Sequence, residues 1–284
     1  MNQVGNGISR FGIIRNGEKR GTDILVARVH HFLERRNLRC IDFAYEELGA
    51  TDTLGEGIKE ALGQIECLIV VGGDGTILRQ VNTAAVFNIP ILGINMGTVG
   101  FLSEVEPNWI EEALLALTGG RYREERRNLL CGEADGESKL ALNDFLLCKK
   151  HPSRTIEVSI AVDGQVVAEY DCDGVLVSTP TGSTGYALSA GGPILSPELP
   201  LTMVTPVCAH KLTARAMLFS MEAEIALQLL ADHDNAALVC ADGDTVFRPF
   251  AKGDILSVRK TSQTLRFLRI REENYFNLVR QKLG

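Results

Sequence analysis

Residues 67–76 read Cys-Leu-Ile-Val-Val-Gly-Gly-Asp-Gly-Thr, an unbroken apolar run that ends in a glycine loop. The run is rich in β-branched residues and shows no polar alternation, which marks a strand buried on both faces, as in parallel sheets. Working toward the N-terminus, Phe11 to Ile14 is a short apolar strand, and residues 20–36 place Leu25, Val29, Phe32 and Leu33 at helical spacing. Cys40 to Ala44 gives a second strand, and residues 54–63 read as a short helix. Toward the C-terminus, a helix is expected over 76–87, a buried strand over Ile89 to Ile94, and a helix over 107–118 with Pro107 at its start and Gly119-Gly120 at its end. Strands alternating with helices mean βαβ units, so residues 1–120 are expected to form a Rossmann-like α/β domain around a parallel sheet.

The pattern changes after Gly120. A charged run, Arg121 to Arg127, precedes a series of short strands that fills residues 121–270. Asp135-Gly136, Asp163-Gly164 and Asp242-Gly243 read as turns between strands. This second domain is expected to be an all-β sandwich. Residues 272–283 return to helical spacing; a lone terminal helix packs poorly on a sandwich, so residues 271–284 are assigned to the first domain.

Composition narrows the function classes. The chain has 284 residues, 45% of them apolar and 23% charged, with a formal net charge of −7. At about 150 residues per domain this fits one large domain or two ordinary ones. The negative charge argues against a partner bound through phosphate neutralisation, so no nucleic acid is expected. No run of 18 apolar residues occurs, so no membrane span is expected, and the N-terminal stretch lacks the apolar core of a secretory signal. The seven cysteines are odd in number and form no C-x-x-C. They read as reduced core thiols of a cytoplasmic protein rather than a disulfide framework or zinc site. The five histidines are scattered, and His30 and His31, adjacent on one helix, read as solvated or packed. No residue is assigned as a metal ligand.

Three segments carry chemistry. Gly72-Gly73-Asp74-Gly75-Thr76 follows a buried strand and opens a helix, where bare N–H groups and partial positive charge suit phosphate. It is neither a Walker A loop nor G-x-G-x-x-G. Asp74 would repel a phosphate unless it binds a divalent cation or takes a proton from an attacking hydroxyl. Ser178 to Pro193 holds six Ser and Thr residues and Tyr186, which suits ribose and base edges. Asn143 and Asp144 interrupt an apolar strand; either a bulge or a ligand must satisfy them.

Together these segments resemble the NAD kinase family, in its bacterial ATP-dependent form. The resemblance covers nearly the whole chain: GGDGT at 72–76, GINMGTVGFLSEV at 93–105, ND at 143–144 and DGVLVSTPTGSTGYALSAGGPI at 173–194. It implies transfer of the γ-phosphoryl group of ATP to the 2′-hydroxyl of the adenosine ribose of NAD, with Mg²⁺ or another divalent cation. It implies Asp74 as general base, Gly75 at the same ligand, and Gly72, Gly73 and Thr76 holding the triphosphate. Phe101 resembles the aromatic near the adenine, and Asn143 and Asp144 the pair that contacts ribose and adenine. Asp173 and the segment Thr181, Thr184, Gly185, Tyr186, Ala187, Leu188 and Ser189 resemble the part gripping the nucleotide. The resemblance thus divides the chain into a phosphate-donor-binding domain and an NAD-binding domain, and implies a homodimer or homotetramer.

Four positions depart from the family pattern. Asp144 stands where Glu is frequent, Asp171 where many members carry a basic residue, Asp244 where Gln is frequent, and Ala209-His210 replaces a Pro-His pair. Arg154 or Arg79 would then supply the missing positive charge. The GGDGT loop alone also fits a lipid kinase, which needs an apolar acyl pocket, or a non-catalytic NAD sensor. An NAD-dependent oxidoreductase is disfavoured because no G-x-G-x-x-G follows a strand.

Overall fold

A computed structural model of the chain describes residues 6–17, 21–45, 48, 54–97, 100–232, 237–271 and 275–283. In chain order, β1 (Arg10–Arg15), α1 (Thr22–Glu34), β2 (Arg39–Phe43), α2 (Glu56–Gln64), β3 (Cys67–Gly72), α3 (Asp74–Leu78), α4 (Val81–Val86), β4 (Ile91–Asn95) and α5 (Ile110–Thr118) alternate as expected of βαβ units. The strands β5 (Arg123–Ala134), β6 (Glu137–Ala141), β7 (Asp144–Lys149), β8 (Ile156–Val162), β9 (Gln165–Cys172) and β10 (Gly174–Ser178) follow. After the one-turn helix α6 (Tyr186–Ser189) come β11 (Leu201–Val207), β12 (Met217–Ser220), β13 (Ile225–Asp232), β14 (Ala237–Ala241), β15 (Asp244–Thr245) and β16 (Ile255–Arg269), and the chain closes with α7 (Tyr275–Leu283). Two compact units result: residues 1–126 with 264–284, and residues 127–263.

In the first unit the strands run β2-β1-β3-β4-β16, every neighbour parallel, with Phe11 opposite both Cys40 and Cys67 and Ile91 opposite Phe267. Every residue of β3 and β4 is buried. Alternate residues Cys67, Ile69 and Val71 pack with the apolar stripes of α1 (Leu25, Val29, Phe32, Leu33) and α5 (Ile110, Leu114, Leu117). On the other face α3 sits close to β4: a Cβ at Gly93 would lie 2.7 Å from the Ile77 side chain. The helix expected over 76–87 is two short helices. The Gln80 N–H reaches the Ile77 carbonyl at 2.8 Å, a three-residue step that tightens the backbone and interrupts the helix. The terminal helix belongs to this unit, as the sequence implies.

The second unit is an antiparallel sandwich. One layer contains β16-β13-β8-β9 and the other runs β12-β11-β10-β7-β14-β15. Val158, Ile160 and Leu227 from the first layer and Leu147, Val175 and Val239 from the second share one core. The Asp-Gly pairs at 135–136, 163–164 and 242–243 turn hairpins with both residues at positive φ, for example Asp163 at 49° and Gly164 at 79°, the type I′ geometry that matches strand twist. The charged run after Gly120 is part of the sheet. It opens β5, because Glu124 pairs with Arg266 at 3.0 Å and Glu125 with Arg269 at 2.7 Å from the far end of the chain.

Candidate active site

In the first unit, β3 delivers the glycine loop to the carboxyl end of the parallel sheet, the usual place for ligands in open α/β sheets. Thr76 Oγ1 accepts the Gly73 N–H at 3.3 Å, and a methyl group at Gly72 would overlap the Thr76 side chain, so the turn requires glycine there. The N–H groups of Asp74 and Gly75, at the start of α3, have no acceptor among the described residues. The Asp74 carboxylate does not hang free. Its Oδ2 accepts the Phe101 N–H at 2.7 Å, while Oδ1 accepts the Leu102 N–H at 3.2 Å, the Ser103 N–H at 3.3 Å and the Ser103 hydroxyl at 3.2 Å. Four donors fix the carboxylate plane, and Oδ2, with a single donor, keeps an open lone pair. Gly100 makes this approach possible, since a methyl group there would overlap Asp74 Oδ1 and Ser103 Oγ.

Two other expected residues of this unit have their own partners. The Phe101 ring lies against α7, with its centroid 6.3 Å from Tyr275 and the Lys282 ammonium 4.9 Å away. The Arg79 guanidinium stands 5.5 Å over the Tyr45 ring. Tyr45 lines a cavity of about 410 Å³ with Ile13, Arg15, Val26 and Phe43, at the carboxyl ends of β1 and β2.

In the second unit three segments distant in sequence are tied together. Asp242 Oδ1 accepts the N–H groups of Asn143 at 2.7 Å and Asp144 at 3.1 Å, and Oδ2 that of Leu142 at 2.8 Å. The Thr179 N–H donates to the Asn143 carbonyl at 2.8 Å, and its hydroxyl donates to the Leu142 carbonyl at 2.5 Å. Gly182 has no room for a side chain, because a Cβ would come within 2.8 Å of Asn143 Cα. Asn143 therefore lies in the bend after β6 and Asp144 begins β7, and their amides are satisfied by a carboxylate. The buried Arg127 donates to Thr181 Oγ1 at 3.2 Å, and the Thr184 hydroxyl donates to the Thr181 carbonyl at 3.2 Å. Gly185, Tyr186, Ala187, Leu188 and Ser189 follow in the turn and α6, with Ala187 buried and the Tyr186 ring about half exposed.

Asp144 is 7% exposed, and no described residue donates a hydrogen bond to its carboxylate. Burial, then the charges of Asp242 and Cys240, push its pKa up to about 7. Asp242 rises to about 6, since burial outweighs the three N–H donors that stabilise its charge. Asp173 pairs with Lys149 at 2.6 Å. Both line a cavity of about 460 Å³ with Arg154, Thr155 and His210. His210 in turn stands 3.5 Å from Asp171.

The expected residues thus gather in two places. Gly72, Gly73, Asp74, Gly75, Thr76, Arg79 and Phe101 lie in the first unit, and the set from Asn143 to Ser189 in the second. Sequence reasoning missed Gly100, Ser103, Lys149 and the carboxylate of Asp242. Gly100 and Ser103 lay inside the GINMGTVGFLSEV segment without a role. Asp242 is the turn residue it was taken for, but its side chain also organises a strand start about one hundred positions earlier, which no local pattern announces.

The ATP-NAD kinase N-terminal domain family matches residues 11–122, and the ATP-NAD kinase C-terminal domain family matches residues 142–270. A curated NAD kinase of Heliobacterium modesticaldum is 40% identical over 231 residues, 80% of this chain and 81% of that protein. The NAD kinase of Pseudomonas fluorescens is 37% identical over 96% of this chain and 95% of its own. Among solved structures, an NAD kinase from Archaeoglobus fulgidus in complex with ATP superimposes with a TM-score of 0.76 at 27% identity, over 96% of this chain and 98% of that one. Yeast NADH kinase complexed with NADH reaches 0.82 at 21% identity over 98% and 88%, a likeness of fold. Both halves of the chain, its glycine loop and its hydroxyl-rich turn fall within matched segments, and the chain belongs to the ATP-NAD kinase family.

Proposed function

We propose that this protein transfers the γ-phosphoryl group of ATP to the 2′-hydroxyl of the adenosine ribose of NAD, giving NADP. Asp74 is the observation that carries the reading. It is a carboxylate held in one orientation by four donors, with an oxygen still able to accept a proton, beside two unpaired N–H groups in a glycine loop. Phosphoryl transfer needs positioning and charge stabilisation more than covalent chemistry. In this reading Gly72, Gly73, Gly75 and Thr76 position the triphosphate, and Asp74 Oδ2 takes the proton of the attacking hydroxyl.

NAD binding is assigned to the second unit, through Asn143, Asp144, Asp173, Thr181, Thr184, Gly185, Tyr186 and Ser189, with Ala187 and Leu188 as the apolar floor of the turn. Asp144, buried without a donor, suits a hydroxyl or amine of the adenosine. Lys149 and Arg154 supply positive charge at the cavity of the same unit, the role left open at Asp171. Phe101 is assigned to the adenine, and Arg79 to the donor phosphates.

A divalent cation fits the reaction. Mg²⁺ keeps several waters and is held largely by substrate phosphates, which leaves the single open lone pair of Asp74 Oδ2 to the proton. When bound it would offset the triphosphate charge. Among the described residues no helix is long and apolar enough to cross a membrane. We assign the protein to the cytoplasm, with ATP and NAD as its partners.

The test is formation of NADP from NAD, ATP and Mg²⁺, with diacylglycerol as the competing acceptor. Asp74→Asn should lower kcat about 10²–10⁴-fold with an unchanged circular dichroism spectrum. Gly100→Ala, which crowds the same carboxylate, should lower kcat in the same direction. NAD binding without turnover would make the protein a sensor, and wild-type turnover in Asp74→Asn would remove Asp74 as the base.

A further inference from the structure

Among the described residues, the first unit's parallel sheet ends at β2, which pairs with β1. Cys40 and Asp42 stand two residues apart on this edge strand, so both side chains point to the same side. Helix α1 brings a third donor there: His30 Nε2 lies 2.9 Å from Asp42 Oδ1. The histidine nitrogen, the Cys40 sulfur and the Asp42 oxygen all lie within 4.8 Å of one another. Among the described residues no other three side chains of these types offer ligand atoms so close together.

We propose that His30, Cys40 and Asp42 form a binding site for a borderline transition-metal cation of the Zn²⁺ type. The donor set decides the class of ion. Imidazole and thiolate favour Zn²⁺ and its neighbours, whereas Mg²⁺ prefers oxygen ligands and keeps its waters, so this site is chemically separate from any cation that accompanies a triphosphate. Distances agree. Tetrahedral Zn²⁺ with bonds of about 2.0–2.3 Å sets its donors roughly 3.3–3.6 Å apart. The His30–Asp42 contact at 2.9 Å needs to open by only a few tenths of an ångström, and the sulfur to close in by side-chain rotation.

Access is also present, since the His30 side chain is 27% exposed and that of Asp42 66%. Binding replaces the Cys40 proton by the metal, since the thiolate is the ligating form. Three protein ligands leave a fourth position for water. The histidines and Cys40 read as ordinary from sequence because the donors come from two elements separated by a turn.

The experiment uses the full chain stripped with a chelator, then titrated with Zn²⁺ against a chromophoric chelator and separately with Co²⁺. One equivalent of Zn²⁺ should bind with sub-micromolar affinity. Co²⁺ should give tetrahedral ligand-field bands and a thiolate-to-cobalt charge-transfer band. Cys40→Ser should abolish that band. Asp42→Asn, a change at an exposed side chain, should weaken Zn²⁺ by at least the ~10–100-fold typical of lost supporting contacts. A charge-transfer band that persists in Cys40→Ser, or Zn²⁺ no tighter than Mg²⁺, overturns the proposal. Neither readout depends on NADP formation, so the site stands or falls separately from the proposed activity.

Discussion

Asp144 is buried and Asp242 half-buried in the second unit, and their environment works against their charge. Both have folded pKa values above the ordinary carboxylate value of about 3.9, so between roughly pH 4 and 7 the folded chain holds more protons than the unfolded one. Stability from these two groups therefore rises as the pH falls through 7 and 6, and is lost as the pH rises. The cost of keeping Asp144 charged at pH 8 is on the order of 2–4 kcal/mol. Asp144→Asn should accordingly melt higher than the wild type at pH 8, with the gap closing toward pH 5. A gap independent of pH, measured by calorimetry across that range, would refute the assignment. A buried acid kept at such a cost is more readily understood as a ligand contact than as packing.

The elements were legible in proportion to how local their causes are. Strands β3 and β4 show in the sequence because burial on both faces leaves an unbroken apolar run. The hairpins show because Asp-Gly reaches positive φ cheaply. The glycine loop and the hydroxyl-rich turn were legible as local motifs, and with them most of the candidate site. The start of β5 was hidden because its charges are answered by Arg266 and Arg269, about 140 residues later. The interrupted helix around Gln80 was hidden too, since no Gly or Pro near it in the sequence marks the break.

Gln80 itself sits fully buried there, and neither its amide oxygen nor its nitrogen has a partner among the described residues. An unpaired buried amide costs about 1–3 kcal/mol. Gln80→Met, of similar volume, is expected to raise the unfolding free energy by about 1 kcal/mol in urea titrations. A loss of stability would mean that the amide is engaged after all.

At the scale of the whole molecule, the layer β13-β8-β9 ends in a strand with Val166 and Val167 exposed. Unpaired, exposed apolar edges favour pairing with another chain, and closed two-fold assembly is the commonest outcome. Light scattering at micromolar concentration should give a homodimer or homotetramer, and a monomer mass would exclude self-association. Connectivity has a further consequence. The first unit takes residues 264–284 from the end of the chain, including Phe267 beside Ile91 and Leu268 in its core, whereas the second unit is one continuous segment. On the ribosome, the domain encoded in the middle can be completed while the one begun first still waits for its final strand. A message cut short after position 263 would leave the earliest-made half as the unfinished one, exposing the apolar side of its sheet to chaperones and proteases.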